Sequence, residues 1–249
     1  MTDRIVEICC GSYQDCLAAD RGGARRAELN SALCVGGLTP SLATLRKVKE
    51  DTKLKVVCMV RPRAAGFCYR REEAAVMMND AKILLENGAD GIVFGFLKEN
   101  REIDTDNTVK MTELVHRYGK EAVFHRAFDV TLEPEQAMEQ LIACKVDRVL
   151  TSGQKRTALE GISLIRKLQK RYGKDIQILP GSGINAENAL RILKETGVSQ
   201  LHSSCRSYLT DLTTTAGEVS YSYLAGSHQN DYDVVDKYLV EKLTKVCFQ

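Results

Sequence analysis

The sequence predicts a single (β/α)8 barrel filling residues 1–249, and three observations predict it. Short apolar runs recur eight times, each followed by a helical stretch, with no linker between units. Most of these runs lack the strict alternation of a half-exposed strand, as expected of parallel strands covered on both faces. Run after run also ends in polar, reactive residues, and a barrel of this kind builds its site at the C-terminal ends of its strands. An open doubly wound sheet is the alternative. Even spacing of eight units favours closure.

In chain order the strands are expected over residues 4–10, 25–30, 54–61, 91–97, 121–127, 147–152, 176–181 and 199–204. Helices are expected between them, among others over 71–87, 107–118, 134–143, 157–172 and 185–196. The stretch 71–87 carries Ala74, Met77, Met78, Ala81, Leu84 and Leu85 at helical spacing, one apolar face. Gly22-Gly23-Ala24, Gly88-Ala89-Asp90 and Thr196-Gly197-Val198 are recurrent exits, with Cys144-Lys145-Val146-Asp147 a looser relative. A glycine there ends a helix through the left-handed conformation. Residues 206–227, rich in Ser, Thr and Tyr, read as an irregular excursion. The segment 231–246 places Val234, Val235, Tyr238, Leu239, Leu243 and Val246 at helical spacing and reads as a closing helix.

Thirty-five basic and 33 acidic side chains leave a formal charge of +2, so no strong field for nucleic acid or an anionic membrane is expected. The first residues show no signal-peptide core and no stretch is long enough to span a bilayer, so a cytoplasmic protein is expected. The nine cysteines form no C-x-x-C pair. Cys9 and Cys10 are strand neighbours on opposite faces, and most of the thiols read as reduced and structural.

Chemistry concentrates at the strand ends. Gly181-Ser182-Gly183-Ile184-Asn185 follows the seventh strand, and Ser203-Ser204-Cys205-Arg206 follows the eighth. Loops in those two places are the frequent phosphate site of barrels, with Ser182, Gly183, Ser203 and Ser204 as the candidate contacts and Asn185 as a helix cap. Arg61-Pro62-Arg63 ends the third strand, where Arg61 and Arg63 suit a carboxylate or phosphate. If Arg61 lines the barrel, Glu7 and Glu28 are its natural partners, a structural ion-pair network being the plainer reading. His125 is the candidate acid/base, oriented by Asp129 or Glu28, with Arg126 on the other side of the run. His202 is a second histidine at a strand end. Thr151-Ser152-Gly153 offers further donors, so Thr151 and Ser152 join the candidate anion contacts.

These blocks together resemble the CutC family of copper homeostasis proteins. The resemblance rests on Val6-Glu7-Ile8-Cys9, Gly36-Gly37-Leu38-Thr39-Pro40-Ser41, Arg61-Pro62-Arg63, Phe124-His125-Arg126-Ala127-Phe128-Asp129, Leu150-Thr151-Ser152-Gly153, Gly181-Ser182-Gly183-Ile184 and His202-Ser203-Ser204, and covers most of residues 4–205. It implies a cytoplasmic, oligomeric barrel and copper as the bound metal. Two blocks depart from the family pattern: Val35 stands where an acidic residue commonly precedes the glycines, and Ala64-Ala65-Gly66-Phe67 replaces Gly-Gly-Asp-Phe. Each change removes a carboxylate near the expected mouth.

Two functions follow as expectations. Copper binding would use Cys9, Cys10 and Cys34, or Cys205 with His202, because Cu(I) prefers thiolates. A small anionic metabolite would instead be held by Arg61, Ser182, Gly183 and Ser204. His125 would then move a proton in isomerase, lyase or hydrolase chemistry.

Overall fold

The computed structural model describes residues 4–248. Eight strands run parallel: β1 (Ile5–Cys10), β2 (Arg26–Leu29), β3 (Lys55–Met59), β4 (Gly91–Phe94), β5 (Glu121–Phe124), β6 (Arg148–Thr151), β7 (Gln177–Pro180) and β8 (Gln200–Ser203). Ladders join each strand to the next from β1 to β7, and β8 pairs with β1. At the remaining seam β7 lies beside β8, where Gln200 Nε2 donates to Gln177 Oε1 at 2.9 Å. This is the nearly closed (β/α)8 barrel that the repeating pattern predicts.

Helices α1 (Tyr13–Arg21), α2 (Leu42–Asp51), α3 (Arg71–Glu86), α4 (Thr105–Arg117), α5 (Pro134–Ala143), α6 (Ile162–Tyr172), α7 (Ala189–Thr196) and α8 (Lys237–Phe248) surround it. Alternation along each strand divides its residues between two cores. Val6, Ile8, Ala27, Leu29, Val56 and Cys58 pack outward against the helices. Val57, Met59, Val93 and Val123 form a separate cluster inside the ring. The rest of the lumen is charged. Glu7 pairs with Arg26, and Arg148 lies 3.7 Å from Glu7 and 2.6 Å from Glu121. Arg26 Nη2 also donates to Gln200 Oε1 at 2.6 Å, so a polar plug replaces apolar filling at this level.

The glycine exits adopt the expected backbone, with φ of +83° at Gly23, +95° at Gly88 and +77° at Gly197. The looser connector does the same with Lys145 at +58°. Two helices begin later than their patterns suggest. Asn185 caps a turn, accepting from the N–H groups of Glu187 and Asn188, and α7 starts only at Ala189. Residues 157–161 precede α6 as turns, and Gly161 lies so close to the Ser152 carbonyl that a Cβ would sit 1.9 Å from it.

The excursion after residue 205 is ordered. β9 (Arg206–Thr210) pairs antiparallel with β12 (Asp231–Val235), and β10 (Thr215–Ala216) with β11 (Val219–Ser220). Val234 and Val235 therefore belong to a strand and not to the closing helix. Asp236 separates the two, its carboxylate accepting from the N–H groups of Tyr238 and Leu239. Asp15 of α1 ties this arm to the barrel by accepting from Val235 N at 2.8 Å.

Candidate functional site

The C-terminal ends of the strands enclose a cavity of about 490 Å³. Register builds its floor. Ladder pairing sets Glu7 opposite both Arg26 and His202, and Cys9 opposite Glu28. His202 Nδ1 lies 2.9 Å from Glu7 Oε1, and His202 Nε2 lies 3.8 Å from Glu28 Oε2. Cys9 Sγ donates to Glu28 Oε2 at 3.5 Å, and Asn30 Nδ2 donates to the same oxygen at 3.0 Å. Ligand atoms of Cys9, Glu28 and His202 all lie within 4.8 Å of one another.

Burial and charge set the protonation of these groups. Burial opposes ionisation of Glu7, but Arg26 and His202 overcome it and hold the carboxyl well below its usual range. Burial, helped by the Glu7 charge, pushes Glu28 up. Burial opposes the charged form of His202 as well. The Glu28 charge and the bond to Glu7 outweigh it and push this histidine up. Burial and the Glu28 charge push the Cys9 thiol well up.

His125 lies on the opposite wall, in a tilted contact with the Phe67 ring at 4.8 Å between centroids. Its Nδ1 accepts from Ala127 N at 3.1 Å, so the neutral ring carries its proton on Nε2. Burial, followed by the Arg61 charge, pushes its pKa down to about 3. Among the described residues its Nε2 is buried without a partner, and so is Glu28 Oε1; both residues line the cavity. Burial and the Arg61 charge thus favour the neutral ring, whose Nε2 is a hydrogen-bond donor.

The other expected residues divide. Asp129 does not orient His125. Residues 126–130 form a 3-10 turn, and the carboxylate accepts from Thr151 Oγ1 at 2.5 Å and from the N–H groups of Ser152 and Gln154. Arg126 Nε donates to it at 2.7 Å. Thr151 and Ser152 are thus occupied in holding Asp129 and are fully buried. Arg61 lines the cavity, but Glu7 and Glu28 are not its partners. It lies past the end of β3, beyond the lumen, and donates to the carbonyls of Val35, Gly37 and Ala65 at 3.0, 2.9 and 2.6 Å. Arg26 holds the place beside Glu7 instead. Arg63 pairs with Glu73 and bonds the carbonyls of Ala64, Gly66 and Cys68, which closes its own loop. Ser182, Gly183, Ser203 and Ser204 all line the cavity.

Of the cysteines expected at a metal, only Cys9 joins a ligand cluster among the described residues. Cys10 is buried in the outward core, and Cys34 is exposed in the turn Leu33–Val35. Cys205 is buried with its thiol against Ser203 Oγ and forms no ligand cluster with His202 among the described residues. Cys9 and His202 bring a thiol sulfur and an imidazole together, donor types that suit copper, while Glu28 adds a hard oxygen. Glu7 completes the arrangement, since ligating histidines usually hold a carboxylate on their other nitrogen.

The CutC family model matches residues 4–207. The chain belongs to the CutC family. A CutC family protein of Treponema denticola is 45% identical over 241 residues, covering 97% of this chain and 96% of that protein. The human copper homeostasis protein cutC homolog is 39% identical over 203 residues, covering 82% of this chain and 74% of its own. A crystal structure of CutC from Streptococcus agalactiae superposes with a TM-score of 0.76 at 32% identity, over 81% of this chain and 98% of that one. The match to the CutC model ends inside β9, so most of the arm that walls the cavity with Asp233, Val234 and Val235 lies outside it.

His202 was the residue least legible in advance. A histidine at the end of the last strand is visible, but its partners, Glu7 and Glu28, are 195 and 174 positions away along the chain (202 − 7 and 202 − 28). Only closure of the ring brings them together.

Proposed function

We propose that the barrel mouth binds a small anionic metabolite and that Glu28, backed by His202, exchanges a proton with it. One observation carries this reading: His125 and Glu28 line the same cavity, and each keeps a buried side-chain atom, Nε2 and Oε1, with no partner among the described residues. A buried donor or acceptor left unpaired costs about 1–3 kcal/mol. A ligand that presents an oxygen to His125 and a hydrogen to Glu28 recovers both. The neutral imidazole polarises that oxygen without giving up its proton, as a preorganised donor does. Glu28, pushed up by burial, holds a proton more readily than an ordinary carboxyl, as a group that takes and returns one must. His202 supplies the charge that offsets the carboxylate as it forms. Proton-transfer chemistry of the isomerase or lyase kind follows.

The test is a thermal-shift titration of reduced, metal-free protein against phosphate, sugar phosphates and small carboxylates. A ligand at about 100 times its Kd should add roughly 2.7 kcal/mol of stability. Glu28→Gln should keep that shift but lose exchange of solvent deuterium into the bound ligand. A shift in no anion at all would remove this reading.

A second reading is favoured by the Cys9, Glu28 and His202 cluster together with the names of the mouse and human relatives, which are copper homeostasis proteins. In it, Cys9 and His202 hold copper and Glu28 balances its charge. The two readings compete for Glu28, so copper would suppress proton exchange. Competition titration with Cu(I) decides it: Cys9→Ser should weaken binding and Cys34→Ser should not.

A further inference from the structure

We infer that the ligand of this mouth is a phosphate monoester, its phosphate seated between the loops after β7 and β8 on Gly183, Ser204 and Arg206. The inference rests on the small-metabolite reading above and narrows it to one chemical class.

The loop after β7 has its acceptors turned inward. The carbonyl of Ser182 accepts from Ala158 N at 3.0 Å, that of Gly183 from Asn188 Nδ2 at 2.8 Å, and that of Ile184 from Ser203 Oγ at 2.6 Å. The Ser182 hydroxyl is also used, donating to the Arg156 carbonyl at 2.7 Å. What remains is a set of donors. Among the described residues, the N–H groups of Gly183 and Ile184 and both the N–H and the hydroxyl of Ser204 have no protein partner. Among the described residues the guanidinium of Arg206 has none either. Successive amides freed in this way attract anions.

Two cavities meet at this strip. Gly183, Ser203, Ser204 and Arg206 line the main cavity and also an adjoining one of about 390 Å³. Lys242 of α8 lines the second, likewise without a carboxylate partner among the described residues. Two carboxylates border the strip: Glu187 in the adjoining cavity, and Asp233 in the main one, where the Tyr223 hydroxyl bonds it. His125 and Glu28, each with a buried side-chain atom that has no partner among the described residues, line the same main cavity as the strip.

The donor set decides between anions. A carboxylate presents two oxygens in one plane, which a single forked guanidinium satisfies. Two amides, a hydroxyl and a guanidinium, with an ammonium behind them, match the three oxygens of a phosphate dianion. The ester carbon then points toward Glu28 and His125.

Calorimetric titration of reduced, metal-free protein with inorganic phosphate, glycerol 3-phosphate and glycerate tests this. Inorganic phosphate and glycerol 3-phosphate should bind, and glycerate should bind at least about tenfold more weakly, as the loss of charge-assisted hydrogen bonds implies. Arg206→Ala should weaken both phosphates by about tenfold or more. Gly95→Ala, which displaces His125, should weaken glycerol 3-phosphate and leave inorganic phosphate unchanged. Glycerate binding that is sensitive to Gly95→Ala, without phosphate binding, would overturn the phosphate class and keep the metabolite site. Phosphate binding indifferent to Arg206→Ala would overturn the placement. Binding of none of the three would overturn this inference, and the metabolite reading with it if the wider anion series also fails.

Discussion

His202 Nδ1 lies 2.9 Å from Glu7 Oε1, across the ladder that closes the barrel between its last strand and its first. The same carboxylate pairs with Arg26 and stands 3.7 Å from Arg148. One buried acid thus pairs with Arg26, shares Arg148 with Glu121 and holds the histidine at the cavity floor.

Replacing that acid should be costly. Glu7→Gln leaves Arg26 buried without a carboxylate, and breaking a buried pair in this way costs about 3–5 kcal/mol. Urea unfolding should show a lower midpoint with an unchanged slope. His202 should also titrate at a lower pH, because one of the two carboxylates that raise it is gone.

Acid should weaken the fold partly through His125. Its pKa falls from 6.5 in the unfolded chain to about 3 in the folded one, so between these values the unfolded state binds the extra proton. Stability contributed by the neutral ring is fully present above pH 6.5 and lost as pH falls toward 3, with a slope of up to about 1.4 kcal/mol per pH unit. His125→Gln should flatten that part of the stability profile. Unfolding measured at pH 7, 6, 5 and 4 (about unit steps) in both proteins isolates the effect, since every carboxylate is common to them.

Asp129 should be a scaffold residue. It accepts from the N–H groups of Ser152 and Gln154, from Thr151 and from Arg126, so it joins the loops after β5 and β6. Asp129→Ala leaves two amides and a hydroxyl unpaired and should cost about 2–4 kcal/mol, from the price of such orphaned donors. Hydrogen exchange at residues 152–154 should accelerate in this variant more than exchange in β1 or β8.

The fold was readable because a local signal repeats: apolar run, helix, left-handed exit. Even Lys145, with no glycine to help it, takes the left-handed position at the place the pattern assigns. The arm was not readable, because Tyr232, Val234 and Val235 can be placed on a helix or a strand by spacing alone. Pairing with β9 decides it, and pairing is not local. The site was half readable for the same reason. That His125, Glu28 and Ser204 stand at strand ends follows from the repeat, so their convergence on one cavity was expected. The protonation of these groups was not: burial and the Arg61 charge push His125 down, while burial beside Glu7 pushes Glu28 up. Arg61 and Arg63, alike in sequence, part because one reaches three carbonyls at the cavity and the other reaches Glu73.

Gly95 gives the sharpest test of the wall opposite Glu28. Its backbone follows β4 directly under the imidazole, and a Cβ built there would stand 2.4 Å from His125 Cε1 and 2.6 Å from Nδ1. The ring has little room to retreat, because the Phe67 ring packs against it at 4.8 Å and Nδ1 is anchored by Ala127. Gly95→Ala should therefore break the bond to Ala127 and turn Nε2 out of the cavity. Overpacking of this kind costs about 1–3 kcal/mol, so the protein should still fold. Its imidazole should then titrate closer to 6.5, as solvent reaches a ring that burial had held neutral. A His125 resonance that keeps its low pKa in this variant would show that the cavity wall yields elsewhere, and that the glycine is not what seats the ring.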